Sequence, residues 1–352
     1  MGRATRRGRK PSVAVAVAAA LVVAATAGAC GTGPGRFHSP APLPGAPEPA
    51  ASPPPTAPPA GRTVAVGTQP EGVAVSAATS TVAVAVRGAH PGVDLLDART
   101  ATLEKFVALG GEARHLQLGG PAGPLLVPAE SDDRLYELAL PSGAVEAAVP
   151  VGRQPHDAAA VGSTVMVGDE LADTAHVVVA GRVTRVVPAP LQPGGVAAVD
   201  HEFVVVGVRA RTVAVYRPDG TLVDRLAAGA GPTHVVAGPD GYFYVADTLG
   251  GALLVYRLAG GAVRAVGTVD LGGTSRPYGV AVDATTGWVF VTLTSTDQLV
   301  GLHLDGAAVT ARAVWATGRQ PNSVAVDPPA RSVVVTDTGD DRLQFIPFPG
   351  AS

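Results

Sequence analysis

Cysteine is all but missing from this chain of 352 residues: Cys30 is the only one, so no disulfide can form within it. Lysine is nearly as scarce, with Lys10 and Lys105 alone, and aromatic residues make up only 4%. Beyond residue 29 the chain holds 21 Lys+Arg against 29 Asp+Glu, because five of its 26 basic residues and no acidic one come earlier, a net charge of −8. A phosphate backbone needs a clustered basic footprint, and bases or sugars need aromatic platforms. Nucleic acid is therefore not an expected partner. Phosphate-binding loops and dinucleotide fingerprints in strand–helix context are also lacking, since Gly110-Gly111 and Gly119-Gly120 sit in turn sequence. No serine is paired with a histidine and an acid in sequence, so no hydrolase triad is legible.

What is present begins with an address. Residues 1–10 are basic, residues 12–28 are apolar and Ala-rich, and Ala27-Gly28-Ala29-Cys30 follows. That order reads as an export signal over residues 1–29, too short and too flanked by small residues for a permanent membrane span. A lone exported thiol is a liability unless something consumes it. Residues 30–61 are dense in proline and alanine, with Pro53-Pro54-Pro55 and Pro58-Pro59, and read as a disordered, semi-extended tether.

From residue 62 a phrase keeps returning: Gln69-Pro-Glu-Gly-Val-Ala-Val75, Gln154-Pro-His-Asp157, Gln192-Pro-Gly-Gly-Val196, Gly231-Pro-Thr-His-Val235, Arg276-Pro-Tyr-Gly-Val-Ala-Val282 and Gln320-Pro-Asn-Ser-Val-Ala-Val326. A degenerate copy without proline lies at Glu112-Ala-Arg-His-Leu-Gln-Leu118. Counted at the Pro position (70, 113, 155, 193, 232, 277, 321), the steps are 43, 42, 38, 39, 45 and 44 residues. A period near forty with several short β-branched runs per period predicts an all-β, seven-bladed β-propeller of four-stranded blades over residues 62–349, with residues 350–352 a tail. The last unit has material for three strands, and residues 63–67 are expected to supply the fourth and close the ring, which removes open sheet edges.

Two resemblances follow from these residues. Pro277-Tyr-Gly-Val-Ala-Val-Asp283 with Trp288-Val-Phe-Val-Thr292, Tyr244-Val-Ala-Asp247, and Asp337-Thr-Gly-Asp-Asp-Arg-Leu-Gln-Phe345 resemble the YVTN and NHL propeller repeats, over essentially all of residues 62–349. Ala29-Cys30 resembles a bacterial lipobox, although Ala27 stands where leucine is usual. The second resemblance implies lipidation of Cys30 and anchoring to the outer face of the cytoplasmic membrane. The first implies blades and little chemistry, because such propellers include envelope binding proteins, lactonases and metal-dependent lyases.

Propellers place sites where inner strands begin, so the residues after each Pro position are the candidates: Glu71, Arg114 and His115, His156 and Asp157, His234, Tyr278, and Asn322. The ends of the second strands add Arg87, Glu130, Asp169, Asp247 and Asp337, and nearby loops add Glu170, Asp133, Asp173, Asp297 and Asp341. This is a polar face suited to a protein, a peptide or a small envelope ligand, and a monomer is expected. His115, His156 and His234 are the candidates for catalysis in the alternative reading, a lactonase- or lyase-like enzyme. Zinc would require three ligands at about 2.0–2.1 Å. His115 and His234, in the same phase three blades apart, are expected on opposite walls, which argues against a metal or other cofactor.

Overall fold

The computed structural model describes residues 1–2 and 46–348. The export signal, Cys30 and the first part of the tether lie outside the described residues, as do residues 349–352. The chain divides into residues 1–35 and 36–352, and the second unit holds everything that follows. Among the described residues no helix is long and apolar enough to cross a membrane.

Seven antiparallel sheets of four strands make up the fold. The inner strands are Val73–Ser76, Gln117–Leu118, Pro155–Val161, Pro193–Val199, Pro232–Ala237, Pro277–Asp283 and Pro321–Asp327. Each packs beside the next, and that of blade 7 beside that of blade 1, so the sheets form a ring. Blade 5 shows the common order, Pro232–Ala237, Tyr242–Asp247, Ala252–Ala259 and Ala262–Asp270, joined by tight turns. The degenerate second repeat is a full blade whose inner strand has shrunk to two residues, helped by a bridge between Ala113 and Ala129. In blade 7 the outermost strand is Arg62–Ala65, paired with Arg342–Pro347 in the register Arg62↔Phe345 to Ala65↔Arg342.

The core lies between blades. One cluster joins Val204, Val206, Val213 and Val215 of blade 4 to Val235, Phe243, Val245 and Tyr256 of blade 5. Middle strands are therefore apolar on both faces, which explains why they read as continuous valine and alanine runs without polar alternation. Outer strands such as Arg182–Pro188 carry the exposed positions.

The recurring glutamine has a structural task. Gln69, Gln154, Gln192 and Gln320 all take positive φ, between 49° and 56°, which turns the backbone N–H toward the preceding blade. There it meets an aspartate: Gln69 N–H donates to Asp341 Oδ1 at 2.8 Å, Gln154 to Asp133 at 2.8 Å, Gln192 to Asp173 at 2.8 Å, and Gln320 to Asp297 at 3.0 Å. Blade 5 uses Asp247 instead, which accepts from the N–H groups of Ala230, Gly231 and Gly250. Asp169 likewise accepts from Gly152 N–H, Thr174 and His176. Threonines make a second set of joints, with Thr248 donating to Pro277 O, Thr292 to Asn322 O and Thr336 to Glu71 O. The last of these ties blade 7 to blade 1.

Asp337 breaks the pattern. Gln344 takes the Gly318 N–H, and neither oxygen of the buried Asp337 carboxyl makes a hydrogen bond of good geometry. Burial, with Asp340 nearby, pushes its pKa up to about 8. A raised acid pKa means that the fold favours the protonated form. Stability should fall as pH rises from the ordinary carboxyl range to about 8. Urea melts at pH 5 and pH 8.5 should show a loss in the wild type that is smaller in Asp337→Asn.

Candidate functional site

The expected site residues separate into two groups. Asp169, Asp247, Asp133, Asp173, Asp297 and Asp341 hold loops between blades through backbone N–H groups. The residues one and two past the Pro position converge at the end of the channel where the inner strands begin. That end is closed. Glu71, His156, Thr233, Tyr278 and Asn322 are all buried, and Glu170 and Gln192 with them. The polar face expected from the sequence is a packed polar layer.

Its wiring can be followed atom by atom. Arg87 pairs with Glu71 and, at 2.9 Å, with Glu112. Arg114 Nε lies 3.2 Å from Glu71, and Nη1 donates to Glu48 Oε2 at 2.9 Å. Glu130 accepts from His156 Nδ1 at 2.6 Å, with Glu170 at 3.5 Å from the same nitrogen. Gln154 and Gln192 donate to the two oxygens of Glu170 at 2.8 and 2.6 Å. Below this layer Asp157 accepts from Gln117 Nε2 and from the N–H groups of Ala158 and Val196.

Glu48 is a participant that sequence reasoning missed. It belongs to the segment read as a disordered tether, of which Glu48, Ala50, Ser52 and Ala60 instead bond to the propeller. Ala50 N–H donates to Thr294 Oγ1, Gln320 N–H to Ser52 Oγ, and Ala60 N–H to Ala316 O. Pro47 is buried. One signal was available, since Glu48 is the only acidic residue between Cys30 and Gly61. Glu112, Gln117 and Gln192 were missed as well, and nothing local distinguishes them from surface polar residues.

The expectation that His115 and His234 stand too far apart fails. Their Nε2 atoms are 2.9 Å from each other, and the ring centroids of His115 and His156 are 4.6 Å apart. One ligand nitrogen from each of His115, His156 and His234 lies within 4.8 Å of the other two. Position on opposite walls does not keep side chains apart, because the inner strands crowd the axis and the imidazoles reach inward across it. Neighbouring inner strands touch closely here: a Cβ on Gly72 would fall 2.9 Å from the His115 backbone, and one on Gly195 3.0 Å from the His234 backbone.

The hydrogen bonds assign the protons. His234 Nδ1–H donates to Tyr278 O at 3.2 Å, which leaves Nε2 as an acceptor for His115 Nε2–H. Burial, together with the neighbouring imidazoles, holds His115 well below the ordinary imidazole range and His234 down at about 3, so both are neutral. Burial would depress His156 too, but the Glu130 hydrogen bond and charge, with Glu170, outweigh it and raise His156 to about 9. Burial pushes Asp157 up to about 6 against the opposing pull of its hydrogen bonds. Three adjacent imidazoles are thus two neutral bases and one cation.

Beneath the layer runs a channel cavity of ≈ 580 Å³, bordered by His115, Asp157 and His234 and continuing to Ala77, Pro121 and Pro328 at the far ends of the inner strands. Glu71, Arg114, His156 and Tyr278 do not border it. The cavity therefore opens on the face opposite the one expected.

No family model matches this chain, and no curated protein does. Solved structures do resemble it. Hydrazine synthase of Kuenenia stuttgartiensis superposes with a TM-score of 0.69 at 18% identity, covering 81% of this chain and 98% of that one. Virginiamycin B lyase from Staphylococcus aureus gives 0.70 at 10% identity, over 82% and 99%. A streptogramin B lyase gives 0.68 at 12% identity, over 81% and 97%. At such identities the likeness establishes the seven-bladed propeller fold and nothing about chemistry.

The charge on His156 gives a direct test. Its contribution with Glu130 is present below the ordinary imidazole pKa and lost as pH rises through about 9. Nuclear magnetic resonance titration of the ring protons should place His156 near that value. In Glu130→Gln, where burial is less opposed, it should titrate well below it.

Proposed function

We propose that this chain is an exported, lipid-anchored propeller that serves as a binding module at the cell envelope, and that its ligand set includes a divalent transition-metal ion held by His115, His156 and His234. The observation that carries the metal reading is the convergence of the three imidazoles at the closed end of the channel. Metal-ligating histidines commonly donate their other ring N–H to a carboxylate or a backbone carbonyl, which fixes ring orientation. Two of the three do so here, His156 through Nδ1–H to Glu130 and His234 through Nδ1–H to Tyr278 O. His234 then presents Nε2 to His115, and His156 keeps Nε2 for an ion.

Bonds of about 2.05 Å in a tetrahedral site put ligand nitrogens roughly 3.4 Å apart. The 2.9 Å between His115 and His234 can reach that spacing by small ring rotations once the shared proton leaves. Imidazole donors without thiolate suit zinc, copper, cobalt or nickel over calcium or magnesium. Loading displaces protons from nitrogen, so uptake should weaken as pH falls.

Anchoring rests on the residues 1–30 pattern, in which Cys30 follows Ala27-Gly28-Ala29. The Pro-rich segment would then link the lipidated end to Glu48, which accepts from Arg114.

A second reading, a metal-dependent enzyme, is favoured by the donor count. Three protein ligands leave a fourth position for water or substrate, as catalytic zinc sites do. The binding reading is preferred because the surrounding carboxylates are engaged with Arg87, Arg114, His156 and backbone amides.

Two measurements test this. Protein dialysed against micromolar zinc or cobalt and freed of excess should carry one ion per chain by elemental analysis, and His156→Ala and His234→Ala, checked for folding by circular dichroism, should carry almost none. A folded wild type that stays metal-free overturns the metal reading. Replacing Cys30 with alanine should move the protein from the membrane fraction to the soluble fraction; unchanged membrane association would overturn the anchor.

A further inference from the structure

We propose that the channel is the site of a second ligand, a small amphiphile whose apolar chain lies along the channel walls and whose single electron-pair-donor head reaches the histidine end from the face opposite the polar layer. This deepens the metal-binding reading and rests on it, since the head would fill the position left by the three imidazoles.

Direction comes first. At the end where the inner strands begin, Glu71, His156, Tyr278 and Asn322 are buried, and Glu48 on its strap adds a further ion pair over Arg114. A molecule arriving there would have to break several charge-assisted hydrogen bonds in a buried setting. At the other end the cavity reaches Ala77, Ala78, Pro121 and Pro328, all exposed.

The walls then define the body of the ligand. Five residues past the Pro position, every inner strand presents an apolar side chain that remains partly accessible inside the cavity: Val75, Ala160, Ala198, Ala237, Val282 and Val326, joined by Leu118 of blade 2. Seven blades with different inner-strand sequences supply an apolar residue at the same level. From Gly72 to Ala78 the channel is about 20 Å long, given a rise of about 3.3 Å per residue. It can bury an extended hydrocarbon chain, and burial of apolar surface is what its lining rewards.

The closed end defines the head. Gln117 and Asp157 are bonded to each other and to the Val196 backbone, and the Ser323 hydroxyl donates to Asn322. Among the polar side chains bordering that end, His115 and His234 are bonded only through the proton they share and, for His234, to the Tyr278 carbonyl. A polar head is therefore received by the imidazoles and the ion they hold. A carboxylate suits the positive charge of such an ion, and the channel's apolar walls exclude a second charged group.

Cobalt-loaded protein titrated with acetate, butanoate, hexanoate and octanoate tests this, read by calorimetry and by the visible cobalt absorption. Each added methylene should tighten binding by up to about fourfold, the factor for one buried CH₂. Filling the wall with Ala198→Phe, or from another blade with Ala237→Phe, should weaken octanoate at least tenfold while acetate binding and the cobalt spectrum persist. Affinities independent of chain length, or octanoate binding untouched in both filled variants, would overturn the channel site alone. A wild type that takes up no cobalt would remove the metal reading and this inference together.

Discussion

The ring depends on one repeated contact: a backbone N–H, turned backward by a residue with positive φ, donating to an aspartate carboxylate of the preceding blade. Four joints use it through glutamine, from Gln69 on Asp341 to Gln320 on Asp297, whereas at the entry to blade 5 the acceptor is that blade's own Asp247. A hydrogen bond to a charged group contributes about 1.5–3 kcal/mol, more than a neutral one. It also fixes the angle at which one sheet meets the next. Apolar burial between blades supplies the bulk of stability but is non-directional. Without the aspartate contacts the same valine and alanine faces could slide.

Because the joints set each inner strand at a defined height, the residues just past the Pro position arrive at one level. Seven side chains cannot share a narrow axis as charges unless their signs alternate or some lose their charge. The structure does both. Arg87 and Arg114 sit among Glu71, Glu112 and Glu130, while His115 and His234 are neutral beside a cationic His156. Where no partner was available, as for Asp337, the carboxyl holds its proton instead. A buried charge is tolerated only when paired, and the layer is an instance of that rule.

Closing one end of the channel with a polar layer leaves the other end as the accessible one. Residues 48–52 reinforce this, since Glu48, Ala50 and Ser52 bond to Arg114, Thr294 and Gln320 at the closed end.

Much of this was legible in sequence. The forty-residue period, the glutamine–proline phrase and the β-branched runs determine a seven-bladed propeller, because blade number and strand order follow from repeats in the chain itself. The list of residues at the inner-strand starts was legible for the same reason. What the linear pattern could not contain is distance across the ring. His115 and His234 are 119 residues apart and touch, and Glu48 reaches Arg114 from a segment with the composition of a disordered linker. Nor could it say that the polar end is closed and the apolar end open, since that depends on how seven side chains share one axis. Repeats are local and survive in the chain; convergence on an axis exists only once the ring has closed.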